Sequence, residues 1–186
     1  MRSRNVALLL VAIAAAGIAA YLTNSLSSPK GLVANSIYEF KINGIDGNQV
    51  DFARFKGKQL LIVNTASKCG KTPQYAGLEQ LHEEYGGKVV VLGFPANNFL
   101  WQEPGTNGEI AAFCERNYGV RFQMFEKISV KGGDQHPLYR WLQVRTGEKP
   151  DWNFAKYLVS ADGETVTFFK SSVQPLDPSL IGIINK

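Results

Sequence analysis

Apolar positions along this chain change period several times, and each change marks an element. In SIYEFKINGIDGNQVDF, residues 36–52, apolar and polar residues alternate on either side of Asp46-Gly47. Alternation turns one face of an extended strand toward a core, and Asp-Gly is a tight-turn signal, so the segment predicts a hairpin. In GKQLLIVNTA the unbroken run from Leu60 to Val63 predicts a strand buried on both faces. Leu78, Leu81 and Tyr85 then recur at helical spacing, with Glu79, Glu83 and Glu84 off that stripe and Gly86-Gly87 as the stop. KVVVLGFP predicts a second buried strand. Strand, helix and strand at this length form a βαβ unit with a right-handed crossover.

Downstream, TNGEIAAFCERNY opens with Thr106 and carries Glu109 three residues on, a capping box, and places Ile110, Phe113 and Cys114 on one helix face. HPLYRWLQV, from His136, predicts another amphipathic helix through Leu138, Trp141 and Leu142. NFAKYLVSADGETVTFFK divides at Asp162-Gly163 into a second hairpin, and Asp177-Pro178 opens a short last helix. The inventory is a central mixed sheet flanked by helices on both faces, an α/β domain with an N-terminal hairpin.

Composition changes this picture mainly at the N-terminus. The 186 residues carry a net charge of +4, of which Arg2 and Arg4 supply two positives. The remainder is too evenly balanced to argue for nucleic acid. After those arginines comes an uncharged apolar run from Val6 to Leu22. It is near the short limit of about 17 residues for crossing a bilayer, and it also matches the layout of a secretory signal. Residues 1–30 are therefore expected to be a signal peptide or membrane anchor plus linker, and residues 31–186 the folded domain. The arginines stay on the cytoplasmic side, which puts the domain across the membrane, exported or anchored.

The chain holds two cysteines, Cys69 and Cys114. In an exported protein such a pair forms either a structural disulfide or a catalytic one. Cys69 lies in NTASKCGKTPQY, just past the C-terminal end of the first buried strand and at the start of the next helix. Ligand sites in open α/β sheets gather at that edge. Backbone N–H groups, the helix dipole, Lys68 and Lys71 all favour an ionised sulfur there. Residue 72 is Thr72, so a Cys-x-x-Cys dithiol is excluded. His82 and His136 are isolated, without ligand spacing, and are expected on helix surfaces or caps; no metal or other cofactor is expected.

Four separated segments, NTASKCGKTPQY, GFPANNFLWQEPG, FCERNYGV and DWNFAKYLV, resemble in order and spacing the glutathione peroxidase family, in its cysteine-type, thioredoxin-dependent branch. The resemblance runs from about Ser36 to about Ile184. It implies a thioredoxin-like fold and reduction of hydrogen peroxide and organic or lipid hydroperoxides by a nucleophilic cysteine. By position, Cys69 resembles the peroxidatic residue, and Gln102, Trp152 and Asn153 resemble the catalytic partners. Cys114 falls where thioredoxin-using members keep a resolving cysteine. Indole N–H and amide NH₂ groups are donors that stabilise a thiolate or an oxygen leaving the peroxide. A sulfenic acid on Cys69 condenses with a thiol, and Cys114 is the one candidate in the chain. If Cys114 faces the core, its helix must loosen first.

The chain also departs from the family. Ala96 stands where many relatives have cysteine, and Leu100-Trp101 stands where relatives tend to have small residues, beside Gln102. The passage RTGEKPDWNF is short, which favours a monomer with an exposed site, re-reduced by a thioredoxin-like protein or glutathione. Two rival functions use the same cysteines: a peroxide sensor or relay that passes oxidation to a partner protein, and a structural domain stapled by a disulfide.

Overall fold

The apolar runs at residues 60–63 and 89–92 become adjacent central strands in the structure, a computed structural model that describes residues 34–186. The expected signal or anchor, residues 1–30, lies outside the described residues. Among the described residues no helix is long and apolar enough to cross a membrane. Strands β1 (Lys41–Asn43) and β2 (Gln49–Asp51) form the N-terminal hairpin, with Ile42 opposite Val50. Its turn needs Gly47 at φ +85°, and the second hairpin needs Gly163 at φ +79°, a conformation that a Cβ disfavours.

β3 (Gln59–Thr65), α1 (Gln74–Tyr85) and β4 (Val89–Pro95) make the βαβ unit, with β3 and β4 parallel and Leu61 opposite Val91. α2 (Asn107–Tyr118) leads to a two-residue edge strand, β5 (Gln123–Met124), parallel to β4. After α3 (Pro137–Thr146), strands β6 (Lys156–Val159) and β7 (Val166–Phe169) return antiparallel beside β3, and α4 (Pro178–Ile184) ends the chain. The sheet order is β5-β4-β3-β6-β7.

Alternation along the strands divides the core into two layers. Leu60, Ile62, Leu92, Phe94 and Tyr157 face the hairpin and α3, meeting Ile42, Val50, Leu138 and Trp141. Leu61, Val63, Val91 and Leu158 face α1, α2 and α4, meeting Leu78, Leu81, Ile110 and Leu180. Both faces are covered, which is why β3 reads as a continuous apolar run.

Periodicity missed what only pairing or local capping defines. β5 is too short to carry a period and exists through its register with Leu92 and Gly93. Residues Ile37–Glu39 and Phe52–Phe55 are 3₁₀ turns, so the first alternation is strand over only three residues on each side. α1 stops at Gly86 as expected, and Gly86 keeps right-handed helical dihedrals. Glu79, off the apolar stripe in the sequence, is buried at 7% exposure, because the chain after α2 folds back onto it.

Candidate active site

Three loops meet at the C-terminal edge of β3 and β4. The parallel register brings Thr65 beside Pro95, and the antiparallel one brings Val63 beside Lys156. The ends of β3 and β4 and the start of β6 therefore share one edge, and the residues singled out from the sequence leave or enter the sheet there.

The first loop carries Cys69. Cys69 does not begin α1: the helix starts at Gln74, and residues 70–73 form turns before it. Thr72 shapes this loop. Its hydroxyl accepts from the Cys69 N–H at 3.0 Å and donates to the Ala66 carbonyl at 2.9 Å, while the Thr72 N–H donates to the Cys69 carbonyl. The residue that rules out a Cys-x-x-Cys pair is thus the one that folds the loop. Cys69 is 9% exposed, and its sulfur accepts a hydrogen bond from the Lys71 N–H at 3.4 Å. The donor is a turn amide rather than the helix terminus.

The second loop follows β4. Lys68 N–H donates to the Gln102 carbonyl at 3.0 Å, tying this loop to the first. Two asparagines hold it from below: Asn97 Oδ1 accepts from Glu103 N–H, and Asn98 bridges Val130 and Ser129. Leu100 and Trp101 both take left-handed dihedrals, φ +52° and +53°, and turn outward. Trp101 lines a hollow with Asn97, Lys127 and Ser129.

The third loop enters β6. Asn64, at the end of β3, grips it at two points: its Nδ2 donates to the Trp152 carbonyl at 2.9 Å, and its own carbonyl accepts from Phe154 N–H at 2.6 Å. Phe154 is held at φ +68°. The half-buried Trp152 ring rests against Phe99 at 5.3 Å between centroids. Asn153 is fully buried, and its Nδ2 donates to Gln102 Oε1 at 2.9 Å.

That bond uses one of the two Asn153 N–H donors. The Gln102 NH₂ and the Trp152 indole N–H have no acceptors among the described residues and are in reach of solvent. Three buried oxygens close to this edge, Asn64 Oδ1, Asn153 Oδ1 and Glu103 Oε1, have no partner among the described residues. Unsatisfied buried polar atoms are rare in folded cores and call for an explanation, commonly a functional one.

Beneath the third loop lies Lys156, fully buried. Its ammonium donates to Gln74 Oε1 at 2.7 Å, the Phe154 carbonyl at 2.8 Å and the Val173 carbonyl at 2.7 Å. Burial first, and then the nearby Lys71 charge, push it down to about 7, against the opposing pull of Asp151. Glu103, whose Oε2 accepts from Ser67 Oγ, is raised by burial. Neither residue stood out in the sequence, since each reads as an ordinary surface charge. Asn64 and Thr72 lie inside the NTASKCGKTPQY motif, but nothing local shows that they brace the loops.

Cys114 sits on α2, 1% exposed, in the same apolar layer as Cys69. Both thiols are free. Burial pushes the Cys114 thiol up to about 11; the nearby Tyr75 hydroxyl opposes this and Glu103 adds to it. That hydroxyl has no well-formed hydrogen bond among the described residues, although it lies close to Thr65 and Cys114. A cleft of 410 Å³ opens between Ser67, Lys68 and Glu103 on one side and Ile110 and Phe113 of α2 on the other. His136 caps α3, its Nδ1 accepting from Leu138 N–H. His82 packs half-buried against Phe122.

The glutathione peroxidase family profile matches residues 37–143. The chain is 49% identical to the glutathione peroxidase homolog BsaA of Halalkalibacterium halodurans over 146 residues, covering 76% of this chain and 93% of that one. It is 46% identical to the hydroperoxy fatty acid reductase gpx1 of Synechocystis sp., covering 76% of this chain and 90% of that one. The crystal structure of Trgpx in apo form superposes with a TM-score of 0.64 at 36% identity, covering 82% of this chain and 97% of that one. This chain belongs to the glutathione peroxidase family, peroxide-reducing oxidoreductases of thioredoxin-like fold.

Proposed function

We propose that the protein reduces hydrogen peroxide and organic or lipid hydroperoxides through Cys69, with Cys114 as the resolving thiol and a thioredoxin-like protein as the preferred reductant, glutathione second. The Cys69 thiolate attacks the outer oxygen of the hydroperoxide. An S–O bond forms as the O–O bond breaks, sulfur is oxidised by two electrons to sulfenic acid, and the hydroxide or alkoxide that departs takes up a proton. Gln102 NH₂ and Trp152 N–H are the donors available to that departing oxygen. Asn153 is a positioning residue, since its bond to Oε1 fixes which end of the Gln102 amide is free.

Cys114 then attacks the sulfenic acid, forming the disulfide and releasing water. A dithiol returns two electrons and two protons by exchange. Bridging requires the two Cα atoms to come within about 7 Å, and a thiol held near 11 inside a helix is a poor nucleophile. α2 therefore opens locally before the disulfide closes.

The observation that carries this reading is the meeting of the Cys69 loop with the Gln102–Asn153 pair at one sheet edge, through Lys68 N–H and the Gln102 carbonyl. The domain works as a monomer on the non-cytoplasmic side, released or tethered by residues 1–30; this part of the proposal rests on Arg2, Arg4 and the apolar run from Val6 to Leu22. The test is peroxide-dependent oxidation of thioredoxin and of glutathione by wild type, Cys69→Ser and Cys114→Ser. Cys69→Ser loses both activities, and Cys114→Ser loses chiefly the thioredoxin route. A wild type that consumes one equivalent of peroxide and then stalls with either reductant supports the relay instead. A stable Cys69 sulfinic acid without a Cys69–Cys114 bridge removes Cys114 from the scheme.

A further inference from the structure

Two large apolar side chains project from the edge that carries the site. Leu100 is 67% exposed and Trp101 is 78% exposed. Both sit in the left-handed region, at φ +52° and +53°, which is strained for residues bearing a Cβ. Neither contributes to the two core layers. Strain and apolar exposure at the same two residues point to a contact outside the folded domain.

The surroundings select the kind of contact. Lys131 Nζ lies 4.0 Å over the Phe99 ring, and Lys127, whose ammonium donates to the Glu103 and Gly105 carbonyls, lines the hollow under Trp101. Lys149 lines the hollow on the far side of Phe99; Asp134 and Asp151 are the acids in these two hollows. A tryptophan and a leucine at a turn tip, ringed by an excess of lysines, have the make-up of an element that enters the headgroup region of an anionic bilayer.

We infer that Leu100 and Trp101 form a wedge that seats the Gln102 edge of the site on an anionic lipid surface, so that hydroperoxides carried on membrane lipids are presented to Cys69. The inference rests on the peroxidase reading above and adds where the substrate comes from. Two measurements test it on the full chain, in phosphatidylcholine vesicles with and without phosphatidylglycerol. In vesicles with brominated acyl chains, tryptophan fluorescence of wild type is quenched more strongly when phosphatidylglycerol is present, and Trp101→Phe loses that quenching. Residues 1–30 are common to both proteins, so any tethering by them cancels.

In the second measurement, Leu100→Ser/Trp101→Ser lowers kcat/KM for phosphatidylcholine hydroperoxide in vesicles by about tenfold, the factor that two buried methylene groups supply. Its turnover of hydrogen peroxide is unchanged. Equal quenching in wild type and Trp101→Phe overturns the wedge. So does an unchanged ratio of lipid to hydrogen peroxide turnover, or a loss that appears instead as a raised KM for thioredoxin. A wild type quenched through Trp101 that consumes no peroxide supports the wedge while overturning the peroxidase reading.

Discussion

Lys156 shows how one side chain sets the geometry of a whole loop. Its three donors meet three acceptors, one at the start of α1, one beside the left-handed Phe154 and one in the turn after β7. Lys156→Met leaves those oxygens buried without a donor, and each such atom costs roughly 1–3 kcal/mol. The expected result is a loss of about 3 kcal/mol in chemical denaturation, together with slower peroxide reduction, because Trp152 and Asn153 lose their support. A pH series separates this from simple loss of packing. The folded value is lowered from the ordinary 10.5 to about 7, so between those limits the unfolded chain binds more protons than the folded one. Stability therefore rises as pH increases from 7, and Lys156→Met removes that rise. Cys114 works the other way, since its value is raised from 9.0 to about 11 and its contribution is lost as pH climbs through that range. The slope between about pH 7 and 9 belongs to Lys156, and measurements of unfolding midpoint across that range check it.

At the scale of the elements, α2 is the one that the proposed resolution by Cys114 needs to open. Its N-terminus is fixed by the capping box, in which the Thr106 hydroxyl accepts from Glu109 N–H while the Glu109 carboxylate accepts from Thr106 N–H. Its C-terminal side is clamped to α1. Glu79 accepts from Arg121 N–H at 2.8 Å, Arg121 Nε at 3.0 Å and Phe122 N–H at 3.4 Å, and Arg121 also pairs with Glu83. Because Glu79 is nearly buried, its bonds to the two backbone N–H groups are little screened, whereas the Arg121 guanidinium is largely exposed. Glu79→Gln is expected to cost about 2 kcal/mol of global stability, in line with the loss of hydrogen bonds to a charged group. The same change speeds closure of the Cys69–Cys114 disulfide, because it weakens the clamp on the half of α2 that carries Cys114. Rapid-quench mass spectrometry after a peroxide pulse reads that rate. An unchanged rate in a destabilised protein would separate the clamp from the opening step.

At the scale of the molecule, residues 34–186 form one compact unit with two apolar layers of their own. A protein beginning at Gly31 is therefore expected to unfold in a single cooperative transition with its hydrogen peroxide activity intact, and calorimetry with a peroxide assay checks both. By itself the sequence determined the two hairpins, the βαβ unit, the capping box of α2 and the family, because these rest on periodicity, turn chemistry and motifs that act over a few residues. Cys69, Gln102, Trp152 and Asn153 stand out as candidates for the same reason, each sitting in a short distinctive motif. Only the tertiary structure decided which of them touch. Asn153 reaches Gln102 across 51 positions, and Asn64 reaches Trp152 across 88. It also decided that Lys156, Glu79 and Glu103 are buried rather than solvated, and that Leu100 and Trp101 face outward. Such outcomes depend on which strands become neighbours and how their ends align, and no local pattern of residues encodes a partner that distant.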